Sequence, residues 1–544
     1  MLLSHEVNHM LNDGLRRQNA GDYNTAIKIY KNVIAIDGKN PHAYNNLAII
    51  YLNTNDLVNA ENIIIEYLQK TDGDANSFNN LAIVYQRTNR LVQAIKLLEH
   101  ALTLDPFKFE TFLNLTNSHS LLHQNNEALH YALEAVKINA SSSGAFNNLG
   151  SVLSTLAMFA EAKIAFQTAL ELDKNNFEAA LNLATNSIRE GNRPEAIATY
   201  EKILKKLPKH LKSKQHVIKF LLANEYLTTG NLVKGWEYYD SGFDPSVPVT
   251  NARSPNRTFN KPKWDGKQHP GKKLLLWKEQ GLGDEIMFYS ILPDLLHKFS
   301  NMNFIIESDY RMVSILQRTF DNVEVREQAF HGPPDYNYIH DDYDFHIPLA
   351  SLNRYFRQSI DDYVHALPLK FKSNEDLNLE FKNRLSPYLD KLKIGFCWRS
   401  GQIDPLRNLC YTEIGDWAEL FKLKNVEWIN LQYGQCEQEV LFAEQIFNVN
   451  IHRWDDVNLK DDLDKVFSII ENVDIVITVA TAVQHMSAAI RKPVFLITLP
   501  EAFHRFGCSF DPWFNNLIPF ENANVKNSLT MIKEYLIQNY NLSD

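Results

Sequence analysis

Cysteine is scarce in this chain. Cys397, Cys410, Cys436 and Cys508 form no C-x-x-C pair and no Cys/His spacing suited to a metal, and four thiols in 544 residues cannot staple a disulfide scaffold. A reducing, cytoplasmic setting is the expectation. Long apolar runs are missing too. The opening MLLSHEVNHMLND lacks a basic segment followed by an uninterrupted apolar stretch, and no later run approaches the roughly 20 residues that cross a bilayer. Neither a signal peptide nor a membrane span is expected. Positive charge is not in excess: 55 Lys and Arg against 65 Asp and Glu give a net charge of -10. That balance argues against general binding of nucleic acid or anionic membrane, while leaving room for a local basic pocket. Apolar residues are present in ordinary measure, 45%, and 544 residues exceed what one core supports, so two or more soluble domains are expected.

The first half is periodic. A shift of 34 superposes Ala26, Ala60, Ala94, Ala128, Ala162 and Ala196. A second column, Leu47, Leu81, Leu115, Leu149 and Leu183, is followed each time by a small or short residue, which lets paired helices approach closely. Tyr44, Phe78, Phe112 and Phe146 fill the first helix of the repeat; Tyr30, Leu98, Phe166 and Tyr200 fill the second. The pattern is similar to tetratricopeptide repeats over residues 7–210, with six repeats in register. The first is the poorest, with Asp13 where leucine is expected, as suits a cap. Such arrays stack into a solenoid whose concave surface suits a peptide or protein partner.

A third column, Asn12, Asn46, Asn80, Asn114, Asn148 and Asn182, has no packing rationale. Tyr44, Leu47, Ala48 and Tyr51 share one helical face, and Asn46 points away from it. Asparagine costs about 0.7 kcal/mol relative to alanine inside a helix, so six sacrifice about 4 kcal/mol before any compensating contact. Two readings follow. Each amide bonds to a neighbouring repeat or to water, or the six line the inner groove and clamp the main chain of an extended polypeptide, since each is both donor and acceptor. A similar ladder is known in O-linked N-acetylglucosamine transferases, which the chain resembles in this half.

Beyond Leu211 the repeat decays into a helical cap, giving an expected solenoid domain of 1–242. Residues 243–271, with five prolines, read as an extended connector anchored by Trp264. The periodicity then changes. KKLLLW and NFIIESD read as strands followed by helices, and a second set runs from KIGFCWRSG to DIVITVATAVQHMSAAIRKPVFLITLP. This alternation implies two parallel sheets, in lobes 272–385 and 386–544, with sites at the carboxyl ends of strands. A dinucleotide oxidoreductase is disfavoured, because QGLGDEI has Gly281 and Gly283 but Ile286 where a third glycine belongs.

EQGLGDEIMFYSILP, KIGFCWRSG, INLQYG and VATAVQHMSAAIRKPV, in that order, resemble the heptosyltransferase-like glycosyltransferases of the two-lobed inverting GT-B type, in the version fused to tetratricopeptide repeats. Relatives of that arrangement include proposed bacterial flagellin glycosyltransferases. The resemblance implies an α-solenoid followed by an α/β GT-B domain of two Rossmann-like lobes. Inverting transfer needs a base for the acceptor hydroxyl and stabilisation of the departing phosphate. Asp284 matches the aspartate taken as base in heptosyltransferases; its alternative is a helix N-cap. Glu279 is the fallback base. For the leaving group, the N–H groups of Thr481, Ala482 and Val483 open a helix after DIVITV and present its positive end to an anion. His485 follows one turn later, placed to donate to a diphosphate or else structural. Ala480 departs from relatives, which commonly have aspartate there, and this counts against both ADP-heptose as donor and full activity. Arg399 and Arg407 offset phosphate charge or are solvated surface groups. Gln432 is a candidate contact to the base or ribose, and Arg505 joins the cleft by analogy. The pairs Asp342/Asp344 and Asp462/Asp464 match a metal-binding D-x-D but are expected by chance in a chain with 65 acidic residues.

The expectation is a protein O-glycosyltransferase that moves a sugar from a nucleotide-sugar donor to Ser or Thr of a polypeptide held by the repeats, with no cofactor or required metal. UDP-, ADP- and CMP-linked donors all fit. Nucleic acid and membrane insertion are not expected. One rival makes the acceptor a lipid or polysaccharide, with the repeats recruiting partners. The other is a non-catalytic scaffold with a degenerate glycosyltransferase domain.

Overall fold

The computed structural model describes residues 2–207, 209–248, 252–328, 335–337, 340–401, 411–499, 503–522 and 524–543. The chain divides into two compact units, Met1–Lys206 and Leu207–Asp544.

The first unit is all helical: twelve α-helices among its described residues, from Leu2–Asn19 to Arg193–Lys206, each packed on its sequence neighbours. Capping fixes the starts. Asp22, Asn40, Asp56, Asp74, Ser142 and Asn176 each accept a bond from a first-turn N–H, worth about 1 kcal/mol apiece. The turn inside each pair carries one left-handed residue, and it too recurs every 34 positions: Gly21, Asn55, Asn89, His123, Ala157 and Gly191. All six alanines of the first column are fully buried. The small column faces the large one. A methyl group on Gly150 would lie 2.7 Å from the Phe166 ring, so the ring occupies the space that a side chain would take. These are the tetratricopeptide repeats expected from the period, and Asp13 of the first repeat is spent on Arg16 and Arg17.

The second unit holds two all-parallel sheets. The first has β2 (Lys273–Trp277) between β3 (Asn303–Ser308) and β6 (Phe345–Pro348), with β4 (Glu324–Glu327) beyond β3. The second runs β12 (Leu517–Glu521), β11 (Val494–Thr498), β10 (Ile475–Val479), β7 (Leu392–Cys397), β8 (Val426–Asn430) and β9 (Ile451–His452). Strands such as IVITV and VFLIT are buried along their whole length, as parallel strands covered on both faces must be. This is an α/β architecture. In each sheet the strand order reverses at one place, between β2 and β6 and between β7 and β10.

Two expected boundaries move. The helical pair Gln215–Thr228 and Leu232–Tyr239 lies in the second unit, not in a solenoid ending at 242. Phe220, Leu227, Leu232, Trp236 and Tyr239 share one apolar cluster with Leu274, Ile286, Phe506 and Trp513. Nor is 243–271 a loose connector. Within it β1 (Asn256–Thr258) pairs in parallel with β5 (Asp335–Asn337), and Arg253 and Arg257 are buried against Glu279 and Glu307. Trp264 is buried as expected, and its indole N–H donates to Lys267 O at 2.8 Å.

Candidate active site

Ligands of open parallel sheets bind outside the carboxyl ends of strands, where the strand order reverses. Both sequence motifs fall at such places. After β2 the chain passes through Lys278, Glu279 and Gln280 into helix Leu282–Phe288, with Gly281 at the N-cap. After β10 it passes through Ala480 into helix Ala482–Ala489, with Thr481 at the N-cap in extended conformation. Neither helix start is capped by a side chain. The two starts meet: a methyl group on Gly283 would lie 3.4 Å from Ala482 Cα and 3.5 Å from His485 Nδ1.

The first motif differs from expectation in detail. The left-handed residue of the turn is Gln280, at φ 61°, while Gly281 is extended. Asp284 is therefore not the N-cap but lies in the first turn, half-buried, its carboxylate facing back toward Gly281. Tyr239 feels its charge. Glu279, the fallback base, is wholly buried. It accepts from Arg253 through both oxygens and from Ala350 N–H at 3.0 Å. Arg253 also donates to Asp240 at 3.0 Å and stacks on the Tyr239 and Phe243 rings. A carboxylate held this way braces the turn.

In the second motif Thr481, Ala482 and Val483 stand at the start of the helix that follows β10. Val483 is buried, Thr481 and Ala482 partly exposed, and His485 is 6% exposed in the first turn. His485 Nε2 lies 2.8 Å from Gln484 Nε2, and the ring also meets the Gly283 backbone, a contact that opposes the fall in its pKa. Burial, reinforced by His504, pulls its pKa down to about 3, so the ring is neutral at pH 7 and offers a dipole, not a charge. Asp511 anchors the loop that carries Phe514. The carboxylate accepts from Trp513 and Phe514 N–H at 3.0 and 2.9 Å, and the Phe514 ring lies 6.1 Å from that of His485. Burial pushes Asp511 up to about 7.

The remaining candidates are more occupied than their sequence suggests. Arg399 is locked to Glu439, which also takes the Trp398 indole N–H at 2.7 Å. Gln432 is 1% exposed; its Oε1 accepts from Trp398 and Arg399 N–H and its amide donates to Tyr433 O, so it clamps the turn after β7. Arg505 is buried, paired with Glu521 and donating to Cys508 O. Arg407 lies outside the described residues. Asp342 and Asp344 pair with Arg326 and Lys272, and Asp464 with Arg318, while Asp462 caps a helix. Sequence reasoning missed Arg253, Tyr239, Lys278 and Asp511, which stand in no quoted motif, and Glu285, which stands in EQGLGDEIMFYSILP beside Asp284 but whose partners Ser308 and Asp309 come from the next strand.

In the first unit the asparagine column is a ladder between repeats. Asn80 Nδ2 donates to Asn45 Oδ1 at 2.7 Å, Asn114 to Asn79 at 2.9 Å, Asn182 to Asn147 at 2.9 Å, and Asn148 to Asn117 at 3.3 Å. Asn46 meets the Tyr30 hydroxyl, and Asn12 is exposed. Asn182 Nδ2 also reaches Ser151 Oγ at 3.3 Å.

Residues 19–82 match the tetratricopeptide repeat family model, and residues 88–225 match the model described as the CABIN1 N-terminal domain. Protein FlbA of Caulobacter vibrioides is 28% identical over 431 residues, covering 76% of this chain and 70% of its own. BBSome complex member BBS4 of Xenopus tropicalis is 27% identical over 110 residues, 20% of this chain and 21% of its own. Among solved structures, pilF of Pseudomonas aeruginosa covers 38% of this chain and 95% of its own at TM-score 0.34 and 16% identity. YrrB, a TPR protein with an unusual peptide-binding site, covers 34% and 94% at TM-score 0.28 and 23% identity. The chain contains tetratricopeptide repeats and has a distant homologue in FlbA. No helix of its described residues is long and apolar enough to cross a membrane.

Proposed function

We propose that the chain is an inverting, nucleotide-sugar-dependent glycosyltransferase of the GT-B class that modifies Ser or Thr of a polypeptide held by the repeat array. The observation that carries this reading is the meeting of two uncapped helix starts, Gly283 against Ala482, at the reversal points of two parallel sheets. One start supplies Asp284 as base; the other supplies the N–H groups of Ala482 and Val483 and the neutral imidazole of His485 to the leaving phosphate. A helix terminus that stabilises the phosphate makes a metal unnecessary, so turnover proceeds in EDTA. Flagellin is a candidate acceptor through the family resemblance, and the cytoplasm the site of action.

The test is nucleotide release from sugar nucleotides by the purified chain, with Asp284→Asn as control. Release that falls by on the order of 100-fold or more in the variant supports the reading, and release unchanged in the variant removes Asp284 as base. A specific observation favours the scaffold alternative: Arg399 and Glu279 are both consumed by ion pairs. Absence of release together with undiminished protein binding by the repeats would establish that alternative.

A further inference from the structure

Helix Leu282–Phe288 has no side-chain cap, and its first turn bears the groups that face the second lobe. What holds its direction is the next residue after Asp284. Glu285 is wholly buried, and one carboxylate oxygen takes three donors: Tyr289 O–H at 2.5 Å, Ser308 O–H at 2.9 Å and Asp309 N–H at 3.0 Å. The other oxygen faces the Lys278 ammonium at 3.2 Å. Ser308 ends β3 and Lys278 follows β2, so this carboxylate fastens the helix to the carboxyl edges of two adjacent strands.

The network continues outward. Lys278 also reaches Asp309 at 3.2 Å, and Arg311 binds Asp309 through Nε at 2.8 Å. Arg311 then donates to Lys460 O of the second lobe at 2.8 Å. Burial acts to raise the Asp309 pKa, yet Arg311 and Lys278 hold it at about 2, so Asp309 stays ionised at neutral pH.

We infer that Glu285 is a positioning residue: it fixes helix Leu282–Phe288 to the strand edge so that Asp284 presents its carboxylate at the junction with helix Ala482–Ala489. The inference rests on the reading of Asp284 as base. A buried carboxylate with three donors on one oxygen is directional. Few arrangements of the helix satisfy all three, and a shift of about 1 Å in a reacting group can cost on the order of 100-fold in rate.

The experiment compares the full chain with Glu285→Ala, Glu285→Gln, Asp284→Asn and the double variant D284N/E285A. Nucleotide release from UDP-N-acetylglucosamine, ADP-heptose and CMP-N-acetylneuraminate is followed beside amide hydrogen exchange. E285A should lower kcat about 100-fold with KM for the donor within about 2-fold. E285Q, which keeps an acceptor oxygen, should recover at least about 10-fold of that loss. Because Glu285 acts through Asp284, the double variant should be no slower than D284N alone. Exchange over 282–288 should rise about 10-fold in E285A while β10 stays protected. If the wild type releases no nucleotide from any donor but exchange rises as described, the anchor stands and the glycosyltransferase reading fails. Unchanged exchange over 282–288, or a double variant slower than D284N by the full single-variant factor, overturns the positioning role.

Discussion

Gly283 lies against Ala482, with only a methyl's width between the glycine α-carbon and the helix that follows β10. A Gly283→Ala substitution places its carbon at ordinary contact distance and should leave nucleotide release within about 3-fold of wild type. Gly283→Val adds two γ-carbons beside Ala482 and the His485 ring, and should force the two helix starts apart. Release should fall by about 100-fold while the folded fraction, read by circular dichroism, is unchanged. Equal activity of alanine and valine variants would show that this junction is not where the chemistry happens.

Asp284 and Glu279 are separated by one turn of chain but should respond oppositely to amide substitution. Glu279 shares a buried ion pair with Arg253, and removing one partner of such a pair costs about 3–5 kcal/mol. Glu279→Gln is expected to lower the unfolding midpoint markedly. Asp284→Asn, half-buried at the helix start, should lower release by on the order of 1,000-fold to a measurable residual rate, with little change in stability. Thermal denaturation of both variants beside the activity assay separates a brace from a base. A stable, inactive E279Q would reverse the assignment.

The difference between those two carboxylates could not be read from the sequence. Arg253 stands 26 positions before Glu279, in a proline-rich stretch, and arginine there reads as surface. Long-range ion pairs leave no periodic trace. The same holds for Gln432 and Arg399, whose partners come together only when β7 and β8 pair. Features written by local geometry were legible. The alanine column follows from helix packing, and the helix start at Ala482 follows from a strand that ends on small residues. The turn after β2 was half legible. Its glycines announced a bend, but the left-handed residue is Gln280.

The asparagine ladder predicts small stability effects and, if the groove clamps a backbone, large functional ones. Replacing Asn114 by alanine removes a bond to Asn79 worth about 1 kcal/mol and returns about 0.7 kcal/mol of helix propensity. The single variant should therefore unfold within about 1 kcal/mol of wild type. The triple variant N80A/N114A/N148A, still folded, should lose modification of a protein acceptor while nucleotide release stays constant. Undiminished modification, measured by intact mass of the acceptor, would assign the ladder to repeat stacking alone.

Asp511 gives the pH dependence a sign that is unusual for a carboxylate. Its Oδ1 holds the Trp513 and Phe514 N–H groups, while Oδ2 is buried without a hydrogen-bond partner among the described residues. Burial lifts the pKa from 3.8 to about 7 in the folded protein. Between those values the unfolded chain gives up the proton and the folded chain keeps it, so this group destabilises the fold increasingly as pH rises, up to about pH 7. The full penalty is on the order of 4 kcal/mol. His485 and His504 act in the opposite sense, because burial depresses their pKa values to about 3 and 4 and costs stability as pH falls below 6.5. The variant Asp511→Asn isolates the first effect, since asparagine keeps the Oδ1 acceptor and cannot ionise. It should be more stable than wild type at pH 8, and the difference should shrink steadily toward pH 4. Chemical denaturation at pH 8, 6 and 4 measures it. A variant less stable than wild type at pH 8 would mean that the ionised carboxylate is held by Arg505 more strongly than burial opposes it.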